Sequence, residues 1–338
     1  MKQKTLFDEE NRLELLSQLG DPLEILNRVI KWEKFRSVLN QGCRKEDTGK
    51  GGRPPYDVVM MFKILVLQRL YNLSDDHTEY QINDRMSFMR FLGINLCDKV
   101  PDAKTIWKFK NDLAETVDKL FCMFDEHLEK EGLISHKGTI VDATFVDAPR
   151  QRNSRDENKK IKNGEIPEEW EKPENKSKLA QKDTDADWTK KNGERHFGYK
   201  DHVKCDADSK LITNYSVTSA SVHDSQRCLV FIGQEDEVLY ADSAYSGKPI
   251  ALALPENCKN QICEKGYRNS PLTSEQKMNN RRKSRIRCRI EHIFGFMTGA
   301  MHGITIRSIG ITRAWMNIGI TNLVYNFCRY SYLKRTSA

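Results

Sequence analysis

Apolar positions recur at helical spacing through the first 130 residues and give way to β-branched alternation near residue 138. Leu13, Leu15, Leu16 and Leu19 mark a first helix. Asp21-Pro22-Leu23 reads as an N-cap followed by proline in the first turn of a second helix, continued by Ile25, Leu26, Val29, Ile30 and Trp32. Residues 45–55 form a Gly/Pro-rich linker. A strongly apolar helix is predicted over 56–73, carrying Val58, Val59, Met61, Phe62, Leu65 and Val66. Another is predicted over 77–92, opened by the Ser74-Asp75-Asp76 cluster and closed by Gly93. Asp102 caps the next helix, whose apolar stripe is Ile106, Phe109 and Leu113. Lys104, Thr105, Lys108 and Lys110 lie mostly off that stripe. A short polar-faced helix behind two apolar ones is the pattern of a helix-turn-helix reader of DNA, and equally of an ordinary helical domain with a solvated lysine face. One more helix, 115–130, leads to Gly132.

The strand pattern begins at residue 139. Thr139 to Asp147 alternates, with Val141, Ala143 and Phe145 on one face and Ile140, Asp142, Thr144 and Val146 on the other. Residues 196–205 and 211–219 read as two strands of a hairpin around a short turn at 206–210. After a helix over 224–233, Val238 to Ala241 is a continuous apolar run that suits a strand buried on both faces. It ends in Asp242, which either caps the following turn or points into a crevice that holds a cation. Lys248-Pro249 opens a helix, and 261–264 reads as a fifth strand. This order predicts an α/β domain with one mixed central sheet, a hairpin and crossover helices. Between its first two strands, residues 150–195 are dense in charge and amide. Their few large apolar residues are Ile161, Ile166, Trp170, Leu179 and Trp188, so little burial and a mobile excursion are expected.

Composition narrows the class. The chain has 338 residues, 38% of them hydrophobic and 30% charged, and no apolar run approaches the length needed to span a bilayer. The N-terminus lacks the apolar core of a signal peptide. The nine cysteines are scattered with no Cys-x-x-Cys pair, which argues against structural zinc and fits a reducing cytoplasm. A net charge of +7 permits nucleic-acid binding without requiring it, so the placement of charge matters more than its sum.

That placement is uneven. Arg281, Arg282, Lys283, Arg285, Arg287 and Arg289 form a run without an acid, leading into one predicted helix with the apolar stripe Ile286, Ile290, Ile293, Phe294 and Met297. Glu291 flanks the stripe, four residues after Arg287. It is either half of an exposed ion pair or an acid facing DNA beside phosphate-binding cations. With Asp142 and Asp242 it makes a candidate trio. Three clustered carboxylates repel one another, so such a trio implies hard divalent cations, and two-metal phosphodiester chemistry is the reaction that calls for them. Spacing alone does not separate these three from Asp147, Asp201, Asp224 or Asp236.

Several ordered motifs then carry a resemblance. Gly52-Arg-Pro-Pro-Tyr56, Val141-Asp142-Ala-Thr144, Phe197-Gly-Tyr-Lys200, Ser221-Val-His-Asp224, Tyr240-Ala-Asp242-Ser-Ala-Tyr245 and Arg289-Ile-Glu291-His-Ile-Phe294 resemble, in that order, the motifs of DDE transposases of bacterial insertion sequences, in the group named after insertion sequence five. The resemblance runs from about residue 52 onward. It implies a ribonuclease-H-like mixed sheet with flanking helices, preceded by an all-helical N-terminal domain. The expected division is a helical segment and linker over 1–50, a helical DNA-binding domain over 51–132 and a catalytic domain over 133–333. Asp142, Asp242 and Glu291 would be the catalytic, metal-binding acids for Mg2+ or Mn2+, with two ions. The basic run, and Lys104, Thr105 and Lys108, would contact DNA. Relatives carry a Tyr-x2-Arg-x3-Glu-x6-Lys signature; Arg287 and Glu291 fit it, whereas Ser284 and Thr298 stand at the tyrosine and lysine positions. The implied enzyme binds terminal inverted repeats of double-stranded DNA as a homodimer, hydrolyses phosphodiesters and joins the 3′-hydroxyl ends to target DNA, in the cytoplasm at the nucleoid. A structure-specific nuclease of the same fold and a domesticated DNA-binding protein without catalysis are the alternatives.

Overall fold

The computed structural model describes residues 8–43, 54–191 and 193–336. Most of the 45–55 linker, and the start of the N-terminal stretch, lie outside these residues. The chain divides into two compact units, one of residues 1–122 and 323–338, the other of residues 123–322.

The first unit is helical: α1 (Asp8–Gln18), α2 (Pro22–Val29), α3 (Arg36–Gly42), α4 (Val58–Leu70), α5 (Asp75–Asp84), α6 (Met86–Leu92), α7 (Ala103–Asp112) and the start of α8 (Val117–Lys130). Capping side chains set several starts. Asp21 accepts from the Leu23 amide, Asp57 from Val59 and Met60, Ser74 from His77, and Asp102 from Thr105. Gly93 ends α6 in the left-handed region at φ 75°, where glycine carries no Cβ penalty. The predicted helix over 77–92 is two helices. Arg85 adopts an extended conformation (φ −111°, ψ 114°) between α5 and α6, while the apolar spacing runs through the break. The core of this unit is aromatic: Phe62 packs edge-on against Trp32, and Phe327 edge-on against Trp32, Phe35 and Phe62.

The second unit holds a six-stranded mixed sheet. Its elements are β1 (Thr139–Asp147), α9 (Arg155–Lys162), α10 (Glu168–Glu171), α11 (Lys176–Ala180), β2 (Asp187–Lys191), β3 (Glu194–Asp206), β4 (Ile212–Ser219), α12 (Ser225–Phe231), β5 (Val238–Ala241), α13 (Lys248–Ala253), β6 (Lys259–Asn260), α14 (Ser274–Arg287), α15 (Arg289–Thr298) and α16 (Ile311–Thr336), whose last turns belong to the first unit. β3 pairs antiparallel with β1, β2 and β4. β5 runs parallel to β1, and β6 parallel to β5. Gly198 of β3 has φ 147°, and a Cβ there would clash with the Val146 carbonyl oxygen and lie 2.7 Å from the Ala148 nitrogen, so this motif position admits only glycine.

Three sequence expectations change. The fifth strand lies at β6, before the predicted 261–264. β2 was not foreseen, its alternation being masked by lysines. The charged segment 150–195 carries three short helices and β2, and it buries more than its composition suggested. Trp170 is fully buried and donates to Glu157 at 2.7 Å, and the Lys178 and Lys182 ammonium groups stand 5.5 and 5.1 Å from its ring centre, a use of lysine that residue counts miss.

Candidate active site

β1 and β5 set two aspartates side by side. Ile140 lies opposite Tyr240 and Val141 opposite Ala241, and the next residue on each chain is Asp142 and Asp242. Partners across a ladder share a face, and neighbours along a strand alternate. Val141 and Ala241 join Cys228, Phe231, Leu239, Tyr245 and Ile250 in a buried cluster on one face, which turns Asp142 and Asp242 to the other. On that face α14 packs on β5 and α15 on β1. α15 carries Glu291 in its first turn.

Arg287, in the last turn of α14, links these acids. Its Nη1 donates to Asp142 Oδ2 at 2.8 Å and lies 3.7 Å from Glu291 Oε1. The other Asp142 oxygen accepts from the Ala143 amide at 2.8 Å. Burial raises the Asp142 carboxyl above the ordinary carboxylate range; the Ala143 bond, Arg287 and Lys191 oppose the rise, and Glu291 adds to it. Asp242 is exposed, and its Oδ1 accepts from the Ser243 amide at 2.6 Å, capping the 3-10 turn Ser243–Tyr245. The capping role left open at this aspartate is therefore real; it leaves the second carboxylate oxygen available.

The predicted single helix over 281–297 is two, broken at Cys288 (φ −60°, ψ −10°). The basic residues differ in task by the side of the helix they occupy, and all but Arg289 lie on α14. Lys283 donates to the Ile262 carbonyl at 2.9 Å, and Arg289 to the Ala207 carbonyl at 2.8 Å and to Asp208 at 2.9 Å. Arg281, Arg282 and Arg285 are exposed on α14. On α7, Lys104 and Lys108 are exposed, while Lys110 is held by Asp75 at 2.6 Å. Thr105, Lys108 and Phe109 line a cleft of 710 Å³ with Tyr56 and Met61. Trp107, half exposed between these lysines, had no signal in the sequence, because a tryptophan at helical spacing reads as core.

Lys200 also escaped the residue-level reading. Its Nζ donates to the Val222 carbonyl at 2.6 Å and to Asp224 at 2.8 Å, tying Phe197-Gly-Tyr-Lys200 to Ser221-Val-His-Asp224. Opposite charges in the two motifs were the available signal.

The trio offers only carboxylate oxygens, which suits a hard divalent ion, and the Arg287 guanidinium already occupies a cation's place between Asp142 and Glu291. The three do not draw their oxygens within 4.8 Å of one another; among the described residues a group that does is His136, Glu235 and Asp236. That group lies at the other end of the β1–β5 ladder and is engaged by the protein itself. Asp236 accepts from Thr139 at 2.6 Å and from Lys204 at 2.9 Å, and His136 bonds Glu129 at 2.8 Å.

Among the described residues no helix is long and apolar enough to cross a membrane. A piggyBac transposase, solved by cryo-electron microscopy as a synaptic complex with hairpin DNA, aligns over 93% of this chain and 80% of its own at 12% identity, with a TM-score of 0.37. Residues 10–112 match the family described as a transposase domain (DUF772), and residues 134–327 match the transposase DDE domain. The second match spans more than half of the chain and takes in both strand aspartates and the α14–α15 junction, so this chain belongs to the DDE transposases, enzymes that act on DNA with divalent metal ions.

Proposed function

We propose that Asp142, Asp242 and Glu291 are the metal-binding acids of this transposase, of the insertion-sequence-five type, with Mg2+ or Mn2+ as the ion and two ions per site. One observation carries the reading: the β1–β5 register sets Asp142 and Asp242 as successive positions on one face, and Arg287 ties Asp142 to Glu291. The pairings β4–β3, β3–β1, β1–β5 and β5–β6, antiparallel on one side of β1 and parallel on the other, support a ribonuclease-H-like sheet. In this reading residues 51–132 hold the terminal inverted repeats and residues 133–333 carry out cleavage, the enzyme working as a homodimer on DNA.

When bound, divalent ions supply activation of the attacking hydroxyl and stabilisation of the leaving oxygen. The chain's own residues do the positioning. β1 and β5 hold the two aspartates on rigid backbone, and the Ser243 amide fixes the orientation of Asp242. Exposed Arg281, Arg282 and Arg285 would neutralise phosphates and set register without reading sequence. Lys104, Thr105 and Lys108 are the proposed readers of the repeat. Water is the first nucleophile and the DNA 3′-hydroxyl the second.

Asp242→Asn tests the site. Asparagine caps turns about as well as aspartate, so the fold and DNA binding are retained, whereas a charge that would hold a metal ion is lost. The expected result is DNA binding close to wild type and Mg2+-dependent cleavage reduced by a factor on the order of 10² or more. Unchanged cleavage would leave Asp242 as a turn cap alone.

A further inference from the structure

We propose that Arg287 is an internal counter-ion that keeps the acidic site closed to divalent ions, and that its guanidinium must leave Asp142 before an ion binds there. The proposal rests on the reading of Asp142, Asp242 and Glu291 as metal ligands.

The geometry leaves little choice. One Asp142 oxygen is held by the Ala143 amide at 2.8 Å and the other by Arg287 Nη1 at 2.8 Å. A divalent ion at a carboxylate oxygen sits about 2.1 Å away and keeps several waters of its own, so it overlaps a guanidinium nitrogen at hydrogen-bond distance. Like charge adds to the steric conflict. The same Nη1 lies 3.7 Å from Glu291, so one guanidinium faces the two acids that an ion would bridge. The Asp142 and Arg287 side chains are 14% and 21% exposed, so this pair is screened from water far more than a surface ion pair. Lys283 and Arg289 show what the neighbouring cations do when their role is structural: each reaches a backbone carbonyl of the sheet or its loops. Arg287 makes no such bond among the described contacts. Its partners are the two acids.

The displacement carries a consequence for order of events. An arginine released from Asp142 exchanges its partner for solvent or for another anion, so ion entry and the position of the end of α14 are coupled. The metal-free chain is then protected from the mutual repulsion of its own acids, at the expense of metal affinity.

The experiment is a Mn2+ titration of the full chain without DNA, followed by electron paramagnetic resonance of the free ion. Arg287→Gln should bind Mn2+ on the order of tenfold more tightly than wild type, the scale on which residues around a metal site change affinity. Arg287→Lys keeps the charge but not the planar fork that spans two acids, so it should tighten binding by a smaller factor; it also keeps the test open if the glutamine chain does not fold by circular dichroism. Lys277→Gln, an exposed cation on α14 with no assigned role, controls for loss of net charge and should change nothing. Unchanged or weaker binding in the folded Arg287 variants, with Asp142→Asn weakening it, overturns the counter-ion role and leaves the acidic site standing. Asp142→Asn binding Mn2+ as wild type does overturns the site reading, and this inference with it.

Discussion

Two neighbouring residues of β3 show how opposite faces of one strand impose opposite demands on charge. Asp201 is completely buried and accepts from Asn322 at 3.1 Å, while its other oxygen has no partner; burial raises its carboxyl to about 8 against the pull of that bond. His202 points the other way, bonded to Thr218 at 2.8 Å, and burial lowers it to about 4. A carboxyl raised on folding holds a proton that the unfolded chain releases above about pH 4, so stability falls as pH climbs to about 8 and then levels. A histidine lowered on folding acts in reverse, and stability is lost as pH drops from about 6.5 to 4. The two slopes oppose each other below about pH 6.5, and above it only the Asp201 slope of the pair remains. Burial also raises Asp125 to about 7, so Asp201 is isolated above that pH; urea unfolding should show a loss of about 1 kcal/mol between pH 7 and 8, and Asp201→Asn should flatten that interval. A slope that survives in the variant belongs to another group. Both residues were visible in the sequence as polar positions in a strand. Their burial was not, because it depends on what the fold packs against each face of β3, as Asn322 of α16 does at Asp201.

At the scale of elements, hydrophobic spacing located helices well and their interruptions poorly. A single residue such as Arg85 or Cys288 redirects a helix without disturbing the apolar repeat on either side, so spacing reads across it. The two sides of α14 matter most, because they divide a uniform basic run into Lys283, which braces the sheet, and Arg281, Arg282 and Arg285, which face outward. That division makes a prediction about salt. Arg285→Glu should weaken DNA binding and lower the slope of log affinity against log salt by about one to two, as one phosphate contact is lost and a repulsion gained. Lys283→Ala, which removes a bond to the Ile262 carbonyl, should reduce thermal stability and leave that slope in place. Equal salt effects from the two variants would mean that α14 does not present Arg285 to phosphate.

For the whole molecule, the family membership makes strand joining the informative assay. With precleaved terminal-repeat DNA and Mg2+, the wild-type chain should form joined products with target DNA; cleavage without joining would favour the nuclease of the same fold. The segment 150–195 belongs at this scale too. It lies within the region that matches the DDE domain, and it buries Trp170 and pairs β2 with β3, which places Lys191 where its charge acts on Asp142. Composition had assigned it to solvent.

The sequence by itself determined most of the helices and strands in their order, several caps and, through ordered motifs, the family. The elements and caps are local properties: periodicity and capping chemistry need no distant partner. It also nominated Asp142, Asp242 and Glu291, though only the resemblance set them above other acids. Tertiary structure decided what each charge does. The register of β1 on β5 put two aspartates on one face, and the packing of α14 set Arg287 on Asp142 and left Arg285 exposed. It also sent Lys110 to Asp75, away from the exposed lysines of α7. A charged side chain reaches several ångströms in any direction, so its partner is set by what the fold brings near it, and one-dimensional spacing carries no record of that choice.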